Sequence, residues 1–520
     1  QSQPFHAVAN HNLGVLAMSF KKYKEALPLF KTALKENPNL EQFWLSYIDA
    51  LIKENRFDTV KQVIKNAKEK NINGKKLNIL KTQIFELTEN PNSAEEHYIF
   101  GNILQTLGRL NGAKASYSKA ISLQIDFLQA HYNLGNVHLT LGKLEEAEAN
   151  FRKVVTLKPD NAEAQNNLGI ILKELNRLEE AEAVLRQAVK LKPSYAEAHN
   201  NLGTVLQELS KNEGAINSFA TAIKIDAQML EPTQNLIRIL TTFNAQNEYL
   251  HPIIEIDHKI KNIQSIPNSF RKISDNQIIS LINESSKIIE QYKLELSTDI
   301  TQIYRRNTVN LNCKRHMDIF KKSRIIPKFC FGCYKIQVEP RTLLELLKLF
   351  VVFDQLNLKK NNTRKCMVEL RPEFPGFYKG LIYCSGLEEA DVILNDLKLV
   401  LRKCYGTDLK AAVKRGCSEY PIAYPDYKKI NRGGAQLMSY KKSWKLVEDE
   451  YDSKLTSTIK PLIPSLSGLT LNDILIIQNW IDYAQGIGDP SAKILKKNTR
   501  FLSKYYRSAK ARVEIFPWQN

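Results

Sequence analysis

The sequence predicts an all-α solenoid of stacked helix pairs, followed by an α+β domain and a helical C-terminal segment. Three observations predict it: a strict 34-residue period in the first half, a change from helical to alternating hydrophobic spacing near Tyr334, and a second half that holds every cysteine and most of the excess positive charge. A chain of 520 residues also exceeds the ~250–300 residues at which single cores stop growing, so two or three domains are expected. The expected divisions are a solenoid over 1–245, a helical connector over 246–305, a cysteine-containing α+β domain over 306–430 and a basic helical segment over 431–520.

The period is anchored on Leu134-Gly135, Leu168-Gly169 and Leu202-Gly203. Twelve residues after each glycine stands an alanine, Ala147, Ala181 and Ala215, and four later a bulky apolar residue, Phe151, Leu185 and Phe219. The glycine permits close helix approach, the alanine lets the second helix cross tightly, and Pro159 and Pro193 open the next unit after a break. Each pair leaves an apolar face that only the next pair can cover, so stacking is obligatory.

The pattern recurs as Leu13, Gly14, Ala26, Phe30, Ala33 and Pro38 in the first unit and as Phe100, Gly101, Ala113, Tyr117 and Ala120 in the third. The second unit is degenerate around Trp44, Tyr47 and Ile48, and an insertion is expected between Gly74 and Asn92. This set of small and large positions resembles the tetratricopeptide-repeat (TPR) family. The resemblance implies a superhelix whose concave groove holds another polypeptide.

An asparagine precedes the Leu-Gly pair at Asn12, Asn133, Asn167 and Asn201, and again at Asn235 in a partial last unit, while Ile99 interrupts the series. This row resembles the Asn ladder of O-GlcNAc transferases, which implies that the amides grip the backbone of an extended peptide. An amide suits that task because it donates and accepts at once. The plainer alternative is a tolerated polar residue on a solvated face. His131 and His199, two residues upstream of ladder members, are expected to line the same groove.

After Asn235 the stretch HPIIEIDHKIKNIQSIPNSF reads as a polar connector, and a helix is expected from Asp275 that buries Ile278, Leu281, Ile282, Ile288 and Ile289 against the last repeat. From Tyr334 come a strand (YKIQV), a helix (RTLLELLKLFVVFDQL), two strands (KCMVEL, FYKGLIYC), a second helix (LEEADVILNDLKLVLRKC) and a strand near AAVKRGCSEY. The order β-α-β-β-α-β is that of a ferredoxin-like split unit, an antiparallel sheet with both helices on one face. Its first strand would lie between the third and fourth, bringing Cys330 and Cys333 towards Cys384 and Cys417, with Cys404 at the opposite end.

Cys313 and His316 are spaced C-x-x-H, and Cys330 and Cys333 C-x-x-C. Two ligands two residues apart can share one metal, so these four are a candidate zinc site. Cys384 and Cys417 are alternative thiolates, and Cys330, Cys333, Cys384 and Cys417 could equally hold an iron–sulfur cluster. Against both stands the ordinary fate of a free cysteine as a small core residue.

No apolar run approaches the ~18 residues that cross a bilayer, and no basic stretch followed by an apolar one opens the sequence, which points to a cytoplasmic location. Residues 246–520 hold 45 Lys and Arg against 29 Asp and Glu, whereas residues 1–245 hold 29 against 26. Nucleic acid is therefore a partner to weigh, though not the favoured one, and the tail ILKKNTRFLSKYYRSAKARVEIFPW reads first as an amphipathic helix with a wet face.

Several enzyme classes are argued against. There is no G-x-x-x-x-G-K-[ST] loop and no G-x-S-x-G elbow. No histidine follows His316 to complete an iron site begun by His316 and Asp318. The expectation is an intracellular scaffold that binds an extended peptide in its groove and engages a second partner through its basic half. A protein-modifying enzyme that recruits substrate through the repeats, with Cys330 or Cys417 as the reactive thiol, and a nucleic-acid-binding protein are the alternatives.

Overall fold

In the computed structural model the described residues are 6–516, other than 55, 71, 73–75, 78–92, 264–270, 407, 454–461 and 496–503. Nearly all of the expected insertion between Gly74 and Asn92 therefore lies outside the described residues. The chain divides into two compact units, 1–205 and 206–520.

The first unit is a stack of helix pairs: Ala7–Ser19 with Tyr23–Glu36, Glu41–Lys53 with Phe57–Glu69, Ala94–Thr106 with Leu110–Leu123, Leu128–Thr140 with Leu144–Leu157, and Ala162–Glu174 with Leu178–Leu191. Each second helix contributes a fully buried alanine and bulky residue, such as Ala147 with Phe151 and Ala181 with Leu185. The repeat glycine packs against that bulky residue sixteen positions on. A Cβ added at Gly101 would stand 2.4 Å from Tyr117, at Gly135 2.8 Å from Phe151, and at Gly169 2.5 Å from Leu185. The close approach that the sequence assigns to a neighbouring helix is thus made inside each pair. Across the degenerate second repeat, Arg109 binds the buried Asp49 at 2.8 Å and ties the third helix pair to the second.

In the second unit the stretch expected to be a polar connector is instead a helix, Pro252–Lys261, capped by the His251 side chain and burying Ile253, Ile254, Ile256 and Ile260. Its buried Asp257 accepts from Lys261 at 2.7 Å and from the Leu471 backbone N–H at 2.8 Å. Helix Asp275–Gln291 forms where expected, with Ile278, Leu281, Ile282 and Ile289 buried and Ile288 half-buried. Its main partners are helices Pro252–Lys261, Leu343–Gln355 and Leu471–Ile487 rather than the last repeat, because the helix at 252–261 takes that place.

The sheet has five strands: β1 Gln302–Arg305, β2 Tyr334–Glu339, β3 Arg364–Val368, β4 Tyr378–Cys384 and β5 Lys410–Arg415. Their order is β1-β3-β4-β2-β5, and every pairing is antiparallel. Strand β2 lies between β4 and β5, and Tyr334 at its start pairs with Cys384 and with Arg415, as the sequence predicts for its first strand. Helices Leu343–Gln355 and Leu387–Tyr405 cover one face: a Cβ at Gly380 of β4 would meet Leu349 at 2.4 Å.

β1 is an edge strand that the sequence reading misses. Its Arg305 is buried, bonded to Asp354 and, at 3.1 Å, to Asp473 of helix Leu471–Ile487. That helix buries Trp480, Ile481 and Tyr483. The last described helix, Lys504–Ile515, sends the buried Arg512 to the carbonyls of Phe374 at 2.8 Å and Gly376 at 3.0 Å, and so holds the turn between β3 and β4. Among the described residues no helix is long and apolar enough to cross a membrane.

Because the Gly101 contact is with the Tyr117 ring, Gly101→Ala should cost about 1–3 kcal/mol, read as a lower midpoint of thermal unfolding. In a Tyr117→Ala background, which removes the obstructing ring, the same change should cost much less.

Candidate functional site

Two arrangements of polar side chains stand out, one in each unit. In the first, Asn133 donates to the Asn102 side-chain oxygen at 2.8 Å, Asn167 to that of Asn136 at 3.4 Å, and Asn201 to that of Asn166 at 2.9 Å. Each bond joins the first helices of consecutive repeats. The ladder amides therefore commit part of their donor capacity between repeats, while the side-chain oxygens of Asn133 and Asn201 accept nothing among the described residues. Asn12 is exposed on the first helix, and Asn235 is half-buried on helix Leu230–Ile239. The second polar row, Asn102 and Asn136, lies three residues after the ladder position and was missed.

His131 and His199 have a different task. Their Nε2 atoms donate to the carbonyls of Ile125 at 2.9 Å and Pro193 at 3.0 Å, six residues upstream. Trp44 does the same to Pro38 at 2.7 Å and Gln165 to Pro159 at 3.4 Å. A side chain at this position staples the first helix to the loop that precedes it, which answers an otherwise open loop carbonyl. One nitrogen of each ring is thus committed to the preceding loop.

In the second unit the strand alternation builds a cleft of about 430 Å³ on the sheet face turned away from the two crossover helices. With a side-chain period of two, Ile336, Cys366 and Ile382 point to the helices, while Lys335, Lys365, Lys379 and Lys414, one from each of four strands, and Tyr304 of β1 line the cleft. Lys335 faces Tyr383 across one pairing and Lys414 across the other. Its ammonium lies 3.4 Å from the Cys417 sulfur and 4.9 Å from the centre of the Tyr383 ring. Gly416 makes the return possible: at φ +55° and within 2.8 Å, N to O, of the Cys333 carbonyl, it turns the chain so that Cys417, Ser418 and Glu419 close the cleft.

Charge in the cleft is unevenly answered. Lys379 and Arg371 bind Glu369 at 2.8 Å each, and Arg371 also holds Glu419. Burial alone would raise the Glu369 carboxyl, yet these two cations hold it down at about 2. Burial, and then the charges of Lys335 and Lys379, push the Lys414 ammonium down to about 8. Lys335 has no carboxylate partner among the described residues.

The cysteines are brought together only in part. All seven are free thiols. Cys313 and Cys417 line the basic cleft. Cys330 instead lies in an aromatic cluster with Tyr420, Tyr427 and Trp444, its sulfur 3.2 Å from the Tyr420 hydroxyl. Cys333 packs with Leu381 and Tyr383, and Cys384 ends β4 beside it. Cys404 is buried on helix Leu387–Tyr405.

His316 is stacked on Phe329 with ring centres 5.1 Å apart, and burial, then the neighbouring Arg315 charge, pushes it down to about 4. Among the described residues no three His, Cys, Asp or Glu side chains converge as a metal site. The C-x-x-H and C-x-x-C pairs thus face different surroundings, one reaching a cleft of ammoniums and the other an apolar core.

Models of the tetratricopeptide repeat match residues 17–84, 126–194 and 166–229, and a TPR repeat model matches 101–142. No family model matches the second half of the chain, and no curated protein matches the chain. Similar solved structures include YrrB, described as a TPR protein with an unusual peptide-binding site, at 20% identity over 39% of this chain and 96% of that one (TM-score 0.27). MamA from Desulfovibrio magneticus RS-1 is 19% identical over 36% and 96% (TM-score 0.26). The first TPR of Spaghetti (RPAP3), bound to an HSP90 peptide, is 24% identical over 23% and 94% (TM-score 0.22). The first half of the chain is a TPR solenoid.

The burial pattern sorts the thiols. In the folded protein a chromogenic disulfide reagent should modify Cys313 and Cys417 quickly, since one is exposed and the other half-buried. The five buried thiols should react only on unfolding, with burial also pushing Cys333 up to about 11 and Cys384 to about 12.

Proposed function

We propose that this chain is a protein-interaction scaffold: its repeats hold an extended polypeptide along the asparagine row, and its basic half engages a second partner. The observation that carries the first part is the row itself, in which Asn133, Asn167 and Asn201 recur at one helical position and are set in place by bonds to the preceding repeat. An amide already fixed by one bond loses little rotamer freedom when its oxygen accepts a ligand's backbone N–H. This is the physical sense of the likeness to the Asn ladder of O-GlcNAc transferases.

The second part rests on the charge of residues 246–520 and on the cleft that gathers it. We read the sheet as a ferredoxin-like split unit with β1 added at its edge, since the order β3-β4-β2-β5 and the two crossover helices on one face suit that fold.

Selection of a displayed random-peptide library on the full chain tests the groove. Peptides enriched on the native protein should lose about fivefold in affinity for each ladder residue changed to alanine, the worth of roughly one hydrogen bond. Equal binding to a variant with Asn133, Asn167 and Asn201 all replaced by alanine, and still folded by circular dichroism, would refute the assignment.

A further inference from the structure

The cleft on the sheet goes beyond a general basic surface. Four strands each place a lysine on one face, and in register Lys335 stands directly opposite Lys414. Like charges opposite one another on neighbouring strands destabilise a sheet, and a buried ammonium without a counter-charge costs several kcal/mol. Lys335 is only 6% exposed. The cleft wall carries seven Lys and Arg against two carboxylates, and both carboxylates are already bound to Arg371 or Lys379. What remains is a recessed group of ammoniums that no carboxylate among the described residues answers, Lys335 reaching only the Cys417 sulfur at 3.4 Å.

The count of cations narrows the ligand. The arginine fork matches carboxylate and phosphate alike, whereas several ammoniums converging as point charges suit the three oxygens and double charge of a phosphoryl group. Here Arg371 is occupied by Glu369 and Glu419, and Arg306 lies over the Tyr304 ring at 4.2 Å, so the unanswered donors are lysines. A volume of 430 Å³ lies within the range of small-molecule pockets. Tyr304 and Tyr383 supply apolar walls for whatever the phosphate is attached to.

We propose that this cleft binds a small phosphate-bearing ligand, an ester or anhydride with at least two negative charges, held by Lys335, Lys365 and Lys414. The inference deepens the reading that the basic half has its own partner. A nucleic-acid backbone has the same phosphate chemistry, but the burial of Lys335 favours a compact ligand over a polymer that must stay on the surface.

Binding should take up a proton near pH 8. Burial, and then the charges of Lys335 and Lys379, push the free Lys414 ammonium down to about 8, with Cys417 and Glu419 as its other charged or titratable neighbours. A bound anion holds it protonated.

The test is calorimetric titration of the full chain with inorganic pyrophosphate at low salt. Lys335→Met and Lys414→Met should each weaken binding by about tenfold or more, the worth of a charged hydrogen bond. Titration at pH 8 in buffers of different ionisation enthalpy should show proton uptake that Lys414→Arg abolishes.

Citrate should bind more weakly than pyrophosphate, and a single-stranded oligonucleotide should not displace it. Failure of pyrophosphate to bind the folded chain, or unchanged affinity in Lys335→Met, would overturn the proposal. Displacement by the oligonucleotide would reassign the cleft to a nucleic-acid backbone. Peptide capture by the repeats should be unaffected in Lys335→Met, so failure of the cleft and failure of the groove are told apart.

Discussion

The Lys335 ammonium, buried on β2 between β4 and β5 with no carboxylate partner among the described residues, is the constraint around which the sheet of the second unit is arranged. Antiparallel pairing brings Lys414 and Tyr383 to either side of it. The left-handed turn at Gly416 returns the chain so that Cys417 comes within 3.4 Å of its nitrogen. The opposite face carries Ile336, Val338, Cys366 and Ile382, buried beneath the two crossover helices, with Arg305 and Arg364 as its charged members. One alternation thus does two tasks: it closes a core on one side and concentrates charge on the other.

The first unit follows a different rule, in which neutral contacts repeat. A glycine accepts the ring or branched side chain sixteen positions later, and a ladder amide bonds an asparagine on the first helix of the preceding repeat. These contacts are local in sequence, so each repeat is specified by its own residues and by one neighbour. The same locality explains why a degenerate second repeat is tolerated: the Asp49–Arg109 pair supplies a connection that the consensus positions there do not.

Much of this was legible because period is visible without a partner. The 34-residue spacing located the helix pairs, and alternation in YKIQV, KCMVEL and FYKGLIYC located β2, β3 and β4. What failed depended on distant contacts. Pro252 read as a loop residue, although a proline in the first turn after a capping side chain suits a helix start.

β1 has four residues and hides an arginine among its inward positions, tolerable only because Asp354 and Asp473 arrive from far along the chain. The lysines of β2 to β5 read one at a time as solvated charges, and only the register shows that they share a face. For the cysteines, the expected strand order placed Cys333 near Cys384, but the aromatic residues that enclose Cys330 come from 420–444, which no motif ties to it.

On the proposed reading the two halves would recognise by different physics, and ionic strength would separate them. Neutral amides that bond a peptide backbone hold no net charge, so added salt screens little of their contribution. A recessed set of ammoniums acts through charge, and its exposed members, such as Lys314, lose their pull beyond about 8 Å at physiological ionic strength, whereas the buried Lys335 is screened far less. The outer lysines would then govern how fast an anion arrives and the inner ones how long it stays. A chain built this way can keep its grip on a polypeptide constant while its occupancy by a charged small molecule varies with conditions. That independence follows from placing amides on helices of one unit and ammoniums on strands of the other.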